Sequence, residues 1–317
     1  MFGITILVIV LAIVVALALK PENIKLKTYN TNKRVVCSLT TRPVQPKYFR
    51  RVLDRLTEQF DAVYLALPKV SCKGVEYPKI THPGVTIITI EEDYGPITKF
   101  FGVLNSNERS DTLVVVLDDD IIYSSNIREI YQKSHLKYPS CVLSGSGVVY
   151  KYRNLGLPWF MSMTGRKEHF PSSFPSFLGS RSLTTVSGYT GICFKRGLVK
   201  REALLNFIRY WNQDKECFFN DDIVFSAFLS SCRIPRIAVQ VPRCTIEPDK
   251  DTPNLSNVGP LGTWPMQHKV LKRMRDCFIH DGYRPDCICL FDIILVIVLV
   301  ITVHYSGTLF RARSHRE

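Results

Sequence analysis

Three consecutive aspartates, Asp118 to Asp120, follow a run of five apolar residues, Leu113 to Leu117. The apolar run predicts a buried strand, and open α/β sheets place their ligands at the carboxyl ends of their strands. Adjacent carboxylates repel one another and destabilise a fold unless a cation or hydrogen-bond donors compensate. An acidic loop or a helix cap is the plain alternative. We favour a divalent-metal site that holds a phosphorylated substrate.

A second acidic pair, Asp221-Asp222, follows Asn220 and opens an apolar run from Ile223 to Leu229. Helix capping by Asn220 or Asp221, with acids in the first turn, explains this pattern on its own. A carboxylate at such a position also acts as a general base where its pKa suits the task. We expect the positive end of the helix dipole to lower the pKa of Asp222 and keep it ionised, so burial would have to offset the dipole for efficient catalysis near neutral pH.

Apolar periodicity alternates between short strands and amphipathic helices through the middle of the chain. The predicted strands are Arg34 to Leu39, Ala62 to Leu67, Val85 to Ile90, Thr112 to Leu117 and Cys141 to Ser144. The predicted helices are Tyr48 to Phe60, Pro96 to Leu104 and Asn126 to Tyr138. This alternation implies βαβ units, and therefore an α/β fold with a mostly parallel sheet and helices on both faces.

Periodicity fails from Tyr150 to Thr185, a stretch rich in Phe, Ser, Pro, Gly and Arg. Irregular stretches of this length within a compact domain are usually functional, so we expect a lid or a binding loop. The segment Val186 to Phe194 follows. Its glycines, Gly188 and Gly191, allow a close backbone approach to a ligand or a sharp turn, and a plain β-bulge explains them almost as well.

Two apolar segments lie towards the ends of the chain. Met1 to Leu19 carries no charged side chain, and Ile293 to Phe310 is followed by arginines. Both lengths suit a bilayer span, so we predict anchors over residues 1–20 and 287–310. A cleaved signal peptide and a buried core helix are the respective alternatives. Residues 21–33 are then a basic linker, 34–285 the α/β domain and 311–317 a basic tail.

Much of the net charge of +13 flanks these two segments. Such basic clusters are typical of contacts with anionic lipids, and no basic stripe interleaved with aromatic residues indicates nucleic-acid binding. We therefore expect a membrane partner and no nucleic acid. The positive-inside rule favours a domain that faces the cytosol over one in the Golgi or endoplasmic-reticulum lumen. The ten cysteines form no CxxC pair, which argues against a zinc site.

The acidic motifs stand in a recognisable order with other polar segments. Thr41-Arg42 and the segment Asp93 to Lys99 come first, then Asp118 to Asp120, then the glycine segment, then Asn220 to Asp222. This set resembles glycosyltransferases of the GT-A fold with a DxD motif, close to the family-2-like enzymes, and it covers roughly Arg34 to Cys244. The resemblance implies a Rossmann-like sheet and transfer of a sugar from a nucleotide-sugar donor to a glycan, lipid or protein acceptor.

The resemblance also implies a cofactor and its ligands. Asp120 would bind Mn²⁺ or Mg²⁺, hard cations that prefer oxygen ligands, with Asp118 towards the ribose or a metal-bound water. His268 is a candidate late metal ligand, although a structural role is the simpler explanation. The metal would stabilise the departing nucleoside diphosphate as a Lewis acid.

Further roles follow for the donor and the acceptor. Asp222, or else Asp221, would deprotonate the acceptor hydroxyl for in-line attack that inverts the anomeric centre. Lys99 would neutralise phosphate charge. The remaining donor-binding candidates are Thr41, Arg42, Asp93, Asp119, Gly188 and Gly191.

One departure from the family and two alternatives bear on the reaction. The QxxRW motif of processive family-2 enzymes is absent, so we expect single-sugar transfer. A phosphatase of the haloacid-dehalogenase type also ends a strand in DxD, but there the first strand carries the motif and here about three strands precede it. A catalytically inactive, membrane-tethered binding protein of the same fold is the second alternative, and the intact acidic clusters argue against it.

Overall fold

The structure is a computed structural model that describes residues 33–149, 168–170, 181–241, 245–246, 269–270, 273–274 and 277–278. The strands are β1 (Val35–Thr40), β2 (Val63–Pro68), β3 (Val85–Ile90), β4 (Leu113–Val116), β5 (Ile121–Ile122), β6 (Val142–Ser144), β7 (Gly147–Val149), β8 (Glu168–Phe170), β9 (Arg181–Ser182), β10 (Thr185–Val186), β11 (Ile192–Lys195), β12 (Arg236–Ala238) and β13 (Thr245–Ile246). The α-helices are α1 (Phe49–Gln59), α2 (Phe101–Leu104), α3 (Ile127–Lys137), α4 (Arg201–Trp211), α5 (Lys215–Phe218) and α6 (Asp221–Ser231).

An eight-stranded sheet forms the centre of the molecule, in the order β3-β2-β1-β4-β11-β6-β12-β9. The neighbours β3-β2, β2-β1, β1-β4 and β6-β12 are parallel. Strand β11 is antiparallel to β4 and β6, and β9 is antiparallel to β12. The six strands of this sheet other than β11 and β9 therefore share one direction. This confirms the predicted α/β class with a mostly parallel sheet and is compatible with a Rossmann-like fold.

Helices cover both faces of this sheet, as predicted. Strand β1 alternates its side chains between two cores: Val35 and Cys37 face a core built with α1 and α3, and Val36 faces one built with α2, α4 and α6. Strand β4 alternates in the same way, with Val115 on the first face and Val114 on the second. Apolar residues at every position of β4 are thus explained, because a strand covered on both faces has no solvent side.

One predicted helix differs from the sequence prediction, and two further elements were not predicted. The helix predicted from Pro96 to Leu104 begins as a 3-10 helix, Gly95–Phe100, and only Phe101–Leu104 is α-helical. Gly95 has a φ of 72°, and a β-carbon on it would lie 2.5 Å from the carbonyl oxygen of Phe218, so the turn needs glycine. Helix α4 was not predicted, and the glycine segment leads into β11, a central strand that separates β4 from β6.

No helix within the described ranges is long and apolar enough to span a bilayer. The predicted anchors over 1–20 and 287–310 and the basic tail lie outside those ranges, as does the linker apart from Lys33. The predicted lid lies outside them as well, except for β8, β9 and the last residues before β10.

Candidate active site

The first acidic group, Asp118 to Asp120, and the second, Asp221-Asp222, meet around the buried side chain of Lys99. The Nζ atom of Lys99 lies 2.7 Å from Oδ1 of Asp118 and 2.6 Å from Oδ2 of Asp221. The first contact is a hydrogen bond, and the second is an ion pair without hydrogen-bond alignment. The Lys99 side chain is only 4% exposed. Residues more than 100 positions apart in sequence thus share one site, as the resemblance implied.

Three elements place the side chains of Lys99 and the acids around it at the carboxyl edge of the sheet. Asp118 follows β4 at its carboxyl end, and Asp221 and Asp222 form the first turn of α6. Lys99 lies in the 3-10 helix that precedes α2, and its backbone carbonyl accepts a hydrogen bond from the Ser38 hydroxyl in β1 at 2.6 Å. That bond fixes the lysine backbone to the sheet, so the ammonium is held in place between the acids.

Gly188 brings the backbone into direct contact with this cluster. Its N–H donates to Oδ1 of Asp222 at 2.8 Å, and the Ser187 hydroxyl donates to Oδ2 at 3.3 Å. A β-carbon on Gly188 would lie 2.7 Å from Nζ of Lys99, 3.1 Å from Oδ1 of Asp222 and 3.5 Å from Oδ1 of Asp118. Only glycine therefore leaves room for the charged groups to meet; the close approach to a ligand stays a prediction.

The first acidic group divides its carboxylates among different partners. The Asp118 carboxylate bonds to Lys99, and its backbone N–H donates to the Tyr123 hydroxyl oxygen at 2.9 Å. The Thr41 hydroxyl, itself buried, donates to Oδ2 of Asp119 at 2.5 Å. Thr41 therefore belongs to this corner of the site through Asp119, while Asp120 lies beside them and is partly accessible.

Carboxylates outnumber cations here, and burial penalises their charge. Burial, with the charges of Asp120 and Asp118, raises the pKa of Asp119 to about 7, although Thr41 and Arg42 oppose the shift. Burial and Asp118 also raise the pKa of Asp120, against the charges of Arg42 and Lys99. Arg42 is thus close enough for its charge to act on both acids, and its role towards a nucleotide stays a prediction.

Asp222 departs most clearly from the sequence expectation. Burial, with the charges of Asp221 and Asp118, raises its pKa to about 8, although Lys99 and the Gly188 N–H oppose the shift. The prediction that the helix dipole would keep Asp222 ionised is wrong, because burial, the opposing effect that catalysis near neutral pH would need, outweighs a dipole that is worth about 1 kcal/mol. Part of the Asp222 surface stays accessible, but its carboxylate is enclosed by the groups named above.

Lys99 remains charged in this setting. Burial alone would favour the neutral amine, but the carboxylates of Asp118, Asp221 and Asp222 raise the pKa of Lys99 well above its usual value. Its ammonium is already committed to two acids in the described structure. Neutralising a substrate phosphate, the role that the resemblance implied, would require one of those acids to change partner.

Helix capping does not account for the second acidic group. Asn220 occupies the N-cap position of α6 but makes no side-chain capping bond, and its amide instead donates to the Glu216 carbonyl at 2.9 Å. Asp221 and Asp222 do lie in the first turn, as predicted. Their carboxylates face Lys99 and Gly188, so these acids have tertiary partners beyond the helix itself.

Two further predicted residues have structural partners. Asp93 accepts hydrogen bonds from the backbone N–H groups of Cys72 at 2.7 Å and Gly95 at 2.8 Å, which shape the loop before the 3-10 helix. Gly191 has a φ of 91°, and a β-carbon on it would lie 2.8 Å from Leu117. A sharp turn explains Gly191. His268, the candidate late metal ligand, lies outside the described residues.

Three residues of the site escaped the sequence analysis. Ser187 bonds to Asp222, Tyr123 accepts from the Asp118 backbone, and Tyr77 lies near enough to Asp93 and Asp119 for both to raise its pKa, after burial as the main cause. Adjacency to Gly188 was a usable signal for Ser187. No local pattern marks Tyr123 or Tyr77, because their roles depend on tertiary packing.

The donor set suits a hard divalent cation in its chemistry. Asp118 and Asp120 offer carboxylate oxygens in a cluster where burial, and then the charges of neighbouring acids, raise the pKa values of Asp119, Asp120 and Asp222. No group of three or more His, Cys, Asp or Glu side chains converges as a ready metal site among the described residues. Mg²⁺ commonly takes one or two carboxylates and completes its shell with substrate phosphates and water, so the residues fit a metal that arrives with a diphosphate.

Comparison with known proteins adds no relative. A scan of the chain against models of protein families gave no match, and a search of curated proteins gave no significant match. The functional argument therefore rests on the geometry and electrostatics of the site.

Proposed function

We propose that the chain is a metal-dependent glycosyltransferase that moves a single sugar from a nucleotide-sugar donor to an acceptor hydroxyl with inversion. One observation carries the proposal. The acids after β4 and those opening α6 converge on Lys99 at the carboxyl edge of a mostly parallel sheet, with contacts of 2.7 and 2.6 Å. Ligands of open α/β folds bind at that edge, and perturbed carboxyl pKa values cluster at functional sites.

The donor diphosphate belongs on the side of Asp118 and Asp120. These two residues would hold Mn²⁺ or Mg²⁺, which supplies Lewis-acid stabilisation of the departing diphosphate. Thr41 holds Asp119 at 2.5 Å, and Arg42 adds a positive charge beside the same acids. Together they limit repulsion within the acidic group and orient it towards the donor.

The acceptor hydroxyl belongs on the side of Asp222. A general base works best when its pKa lies near the operating pH, and the pKa of Asp222 is about 8. The Gly188 N–H and the Ser187 hydroxyl fix both oxygens of this carboxylate, at 2.8 and 3.3 Å. The base is therefore oriented before the acceptor arrives, and neutralising the cluster by positive charge would lower its pKa and ionise it.

Lys99 connects the two halves of the proposed site. Its ammonium bonds to Asp118 on the donor side and pairs with Asp221 on the acceptor side. Because the side chain is buried and its backbone is bonded to Ser38, the distance between the halves is fixed by the fold. Such preorganisation is what in-line attack on a sugar carbon requires.

A screen of nucleotide sugars tests the proposal. The full-length protein in mild detergent, with Mn²⁺, is incubated with uridine, guanosine, cytidine and adenosine diphosphate sugars, and release of the nucleoside diphosphate is followed. We expect release from one donor class, abolished by excess EDTA. Hydrolysis of a generic aryl phosphate with no release from any donor would favour the phosphatase instead. No release and no phosphate hydrolysis would favour the inactive binding protein.

A further inference from the structure

Ser226 joins the helix that carries Asp222 to the segment that contacts the Asp222 carboxylate. Its Oγ accepts a hydrogen bond from the Val186 N–H at 3.0 Å and donates to the Asp222 carbonyl oxygen at 2.6 Å. Ser226 lies one turn after Asp222 in α6 and is fully buried. The backbone of Asp222 is therefore linked, through one hydroxyl, to the residue that precedes Ser187 and Gly188.

The backbone geometry of this segment makes two of its contacts with α6 interdependent. Ser187 is extended, with φ −127° and ψ 123°. In an extended chain the N–H groups of residues i and i+2 point to the same side, so those of Val186 and Gly188 both face α6. Ser226 holds the first at 3.0 Å, and the Asp222 carboxylate holds the second at 2.8 Å. Fixing the Val186 N–H therefore fixes the direction of the Gly188 N–H two residues later.

The opposite side of the segment is bonded to the end of β6 and to the connection that follows it. The Ser187 N–H donates to the Ser146 carbonyl oxygen at 3.1 Å, and the Ser144 hydroxyl donates to the Ser187 carbonyl oxygen at 3.0 Å. These bonds attach the segment to strands, and neither of them reaches α6. Ser226 supplies the link from the segment to the backbone of the helix.

A second serine of α6 shows which part of this arrangement is unusual. Serines within helices often bond to the carbonyl of the preceding turn, and that bond alone indicates no role. Ser231 makes such a bond, with its Oγ 3.0 Å from the Ala227 carbonyl oxygen, and it is exposed. Ser226 makes the same local bond and also accepts from a residue 40 positions earlier in the sequence. Ser231 is therefore a matched control for Ser226.

We propose that Ser226 is a positioning residue of the transfer reaction, because it keeps the Ser187 and Gly188 donors on the Asp222 carboxylate and so orients the base towards the acceptor. The role in the reaction rests on the proposed function, whereas the anchoring of the two donors does not. Ser226 is fully buried and acts through Asp222.

Loss of the Ser226 hydroxyl has two expected consequences. In Ser226→Ala the buried Val186 N–H has no acceptor on α6, and an unsatisfied buried donor is costly enough to move the segment towards another partner or water. The Gly188 N–H then leaves the Asp222 carboxylate, and the base loses its orientation. Donor binding should persist, since the acids that follow β4 do not depend on this link.

Hydrogen exchange tests the anchoring without any turnover. The full-length protein in mild detergent, Ser226→Ala and Ser231→Ala are transferred to heavy water, and peptides that cover residues 185–190 are followed by mass spectrometry. We expect the amides of this segment to exchange at least about tenfold faster in Ser226→Ala, with β1 and β4 unchanged and with Ser231→Ala at the parental rate. Ser226→Cys fills the same space with a weak acceptor and should show the same change. Unchanged exchange in both Ser226 variants would overturn the proposal.

Transfer kinetics in two backgrounds separate positioning from a merely structural role. With a donor that the parental protein turns over, Ser226→Ala should lower kcat by roughly 10–100-fold and leave the donor KM within about twofold, because only the base is misplaced. In the Asp222→Asn background the same substitution should change the residual rate by less than about twofold, since no base remains to be oriented. Ser231→Ala should keep the parental rate.

The outcomes distinguish this proposal from the proposed function. An equal loss of rate in the two backgrounds would contradict positioning through Asp222. No turnover of any donor by the parental protein would overturn the proposed function, and the role of Ser226 in the reaction with it. Turnover by the parental protein together with unchanged exchange in the Ser226 variants would overturn the positioning role alone.

Discussion

The sheet carries a charged cluster at each end of β1 and β4, and the two clusters differ in balance. At the amino end, Arg34 bonds to Glu108 through Nε at 2.9 Å and Nη2 at 2.8 Å, and the Tyr64 and Thr112 hydroxyls donate to the same carboxylate. Although burial opposes it, these bonds lower the pKa of Glu108. Both carboxylate oxygens of Glu108 accept hydrogen bonds, so this cluster stabilises the ionised state of Glu108.

At the carboxyl end the same kinds of group leave negative charge uncompensated. The five acids of the two acidic groups share Lys99 and the nearby Arg42, and the pKa values of Asp119 and Asp222 rise to about 7 and about 8. A cluster that costs the fold stability while it lacks a cation is a candidate for binding one. The comparison teaches that charge balance, more than the number of charged residues, separates a structural cluster from a functional one.

The largest expected effect comes from removing the proposed base. Asp222→Asn should lower the transfer rate by roughly 10²–10⁴-fold, the usual contribution of a general base, and leave donor affinity near the parental value. Asp221→Asn should cost less, because Lys99 keeps its bond to Asp118. Steady-state transfer rates and donor binding for both variants check this. Near-parental transfer by Asp222→Asn would remove Asp222 as the base.

The next largest effect is on the free energy of unfolding. It compares the cluster around Lys99 with the cluster of Arg34 and Glu108. Lys99→Met leaves Asp118 and Asp221 unpaired in a buried site, and breaking a buried pair costs about 3–5 kcal/mol, reduced here by protonation of the stranded acids. Arg34→Met should cost less, about 1–2 kcal/mol, because the Arg34 side chain is 48% exposed. Thermal unfolding of the two proteins gives the comparison. A smaller loss for Lys99→Met would mean that the ammonium does not hold the cluster together.

Two glycines provide a matched pair of smaller perturbations. A β-carbon on Gly188 would lie 2.7 Å from Nζ of Lys99, and one on Gly197 would lie 2.9 Å from the Ser110 carbonyl, near the amino end of β4. Both alanine variants should lose about 1–3 kcal/mol, as overpacked sites do. Gly188→Ala alone should also reduce donor turnover at least about tenfold, since it displaces a charged group of the site. Equal turnover in the two variants would separate Gly188 from the chemistry.

The smallest expected effect is on the pH dependence of stability without metal. Asp119 and Asp222 hold their protons up to about pH 7 and pH 8, whereas the unfolded chain releases them near pH 4. The folded state binds more protons in between, so the free energy of unfolding should fall as pH rises from roughly 4 to 8. Glu108 acts in the opposite sense, since its lowered pKa gives stability that is lost as pH falls.

The contribution of Asp222 to the pH dependence of the unfolding free energy can be measured separately. Between about pH 4 and 8, Asp222→Asn should lose about 1–2 kcal/mol less unfolding free energy than the parent protein, after allowance for solvent screening. Glu108→Gln should leave the pH dependence of this free energy unchanged above about pH 5. Thermal midpoints in EDTA across this pH range check both variants. A slope that survives Asp222→Asn intact would assign the protons to other groups.

The fold was predictable where one periodicity dominates. Strand β3 has the bounds that its pattern predicted, and α1 and α3 differ by a residue at each end. Helix α4 was missed, although its Leu204, Leu205 and Ile208 lie on one buried face. Strand β11 was not predicted, and the glycines before it were left open between a ligand approach, a sharp turn and a bulge. Its four residues are too few for periodicity to decide, and its place depends on pairing with β4.

The sequence predicted which residues belong to the site better than it predicted their pKa values and pairing. Adjacency in sequence and the order of motifs indicated that Asp118 to Asp120 and Asp221-Asp222 belong together, and the structure brings Asp118 and Asp221 to one lysine. The pKa of Asp222 was not predictable, since the helix dipole is a local property and burial is a tertiary one. The pairing of Lys99 with two acids likewise depends on packing across three elements.

Calorimetric titration with nucleoside diphosphates tests most directly whether the acid-rich carboxyl end is built for a cation and a diphosphate. Uridine, guanosine, cytidine and adenosine diphosphates are titrated into the full-length protein with Mn²⁺ and with EDTA, and the titrations are repeated with Asp120→Asn and Glu108→Gln. Binding of at least one nucleotide is predicted only with Mn²⁺, lost in Asp120→Asn and kept in Glu108→Gln, because only Asp120 belongs to the unbalanced cluster. Equal binding in EDTA, or undiminished binding by Asp120→Asn, would contradict the account.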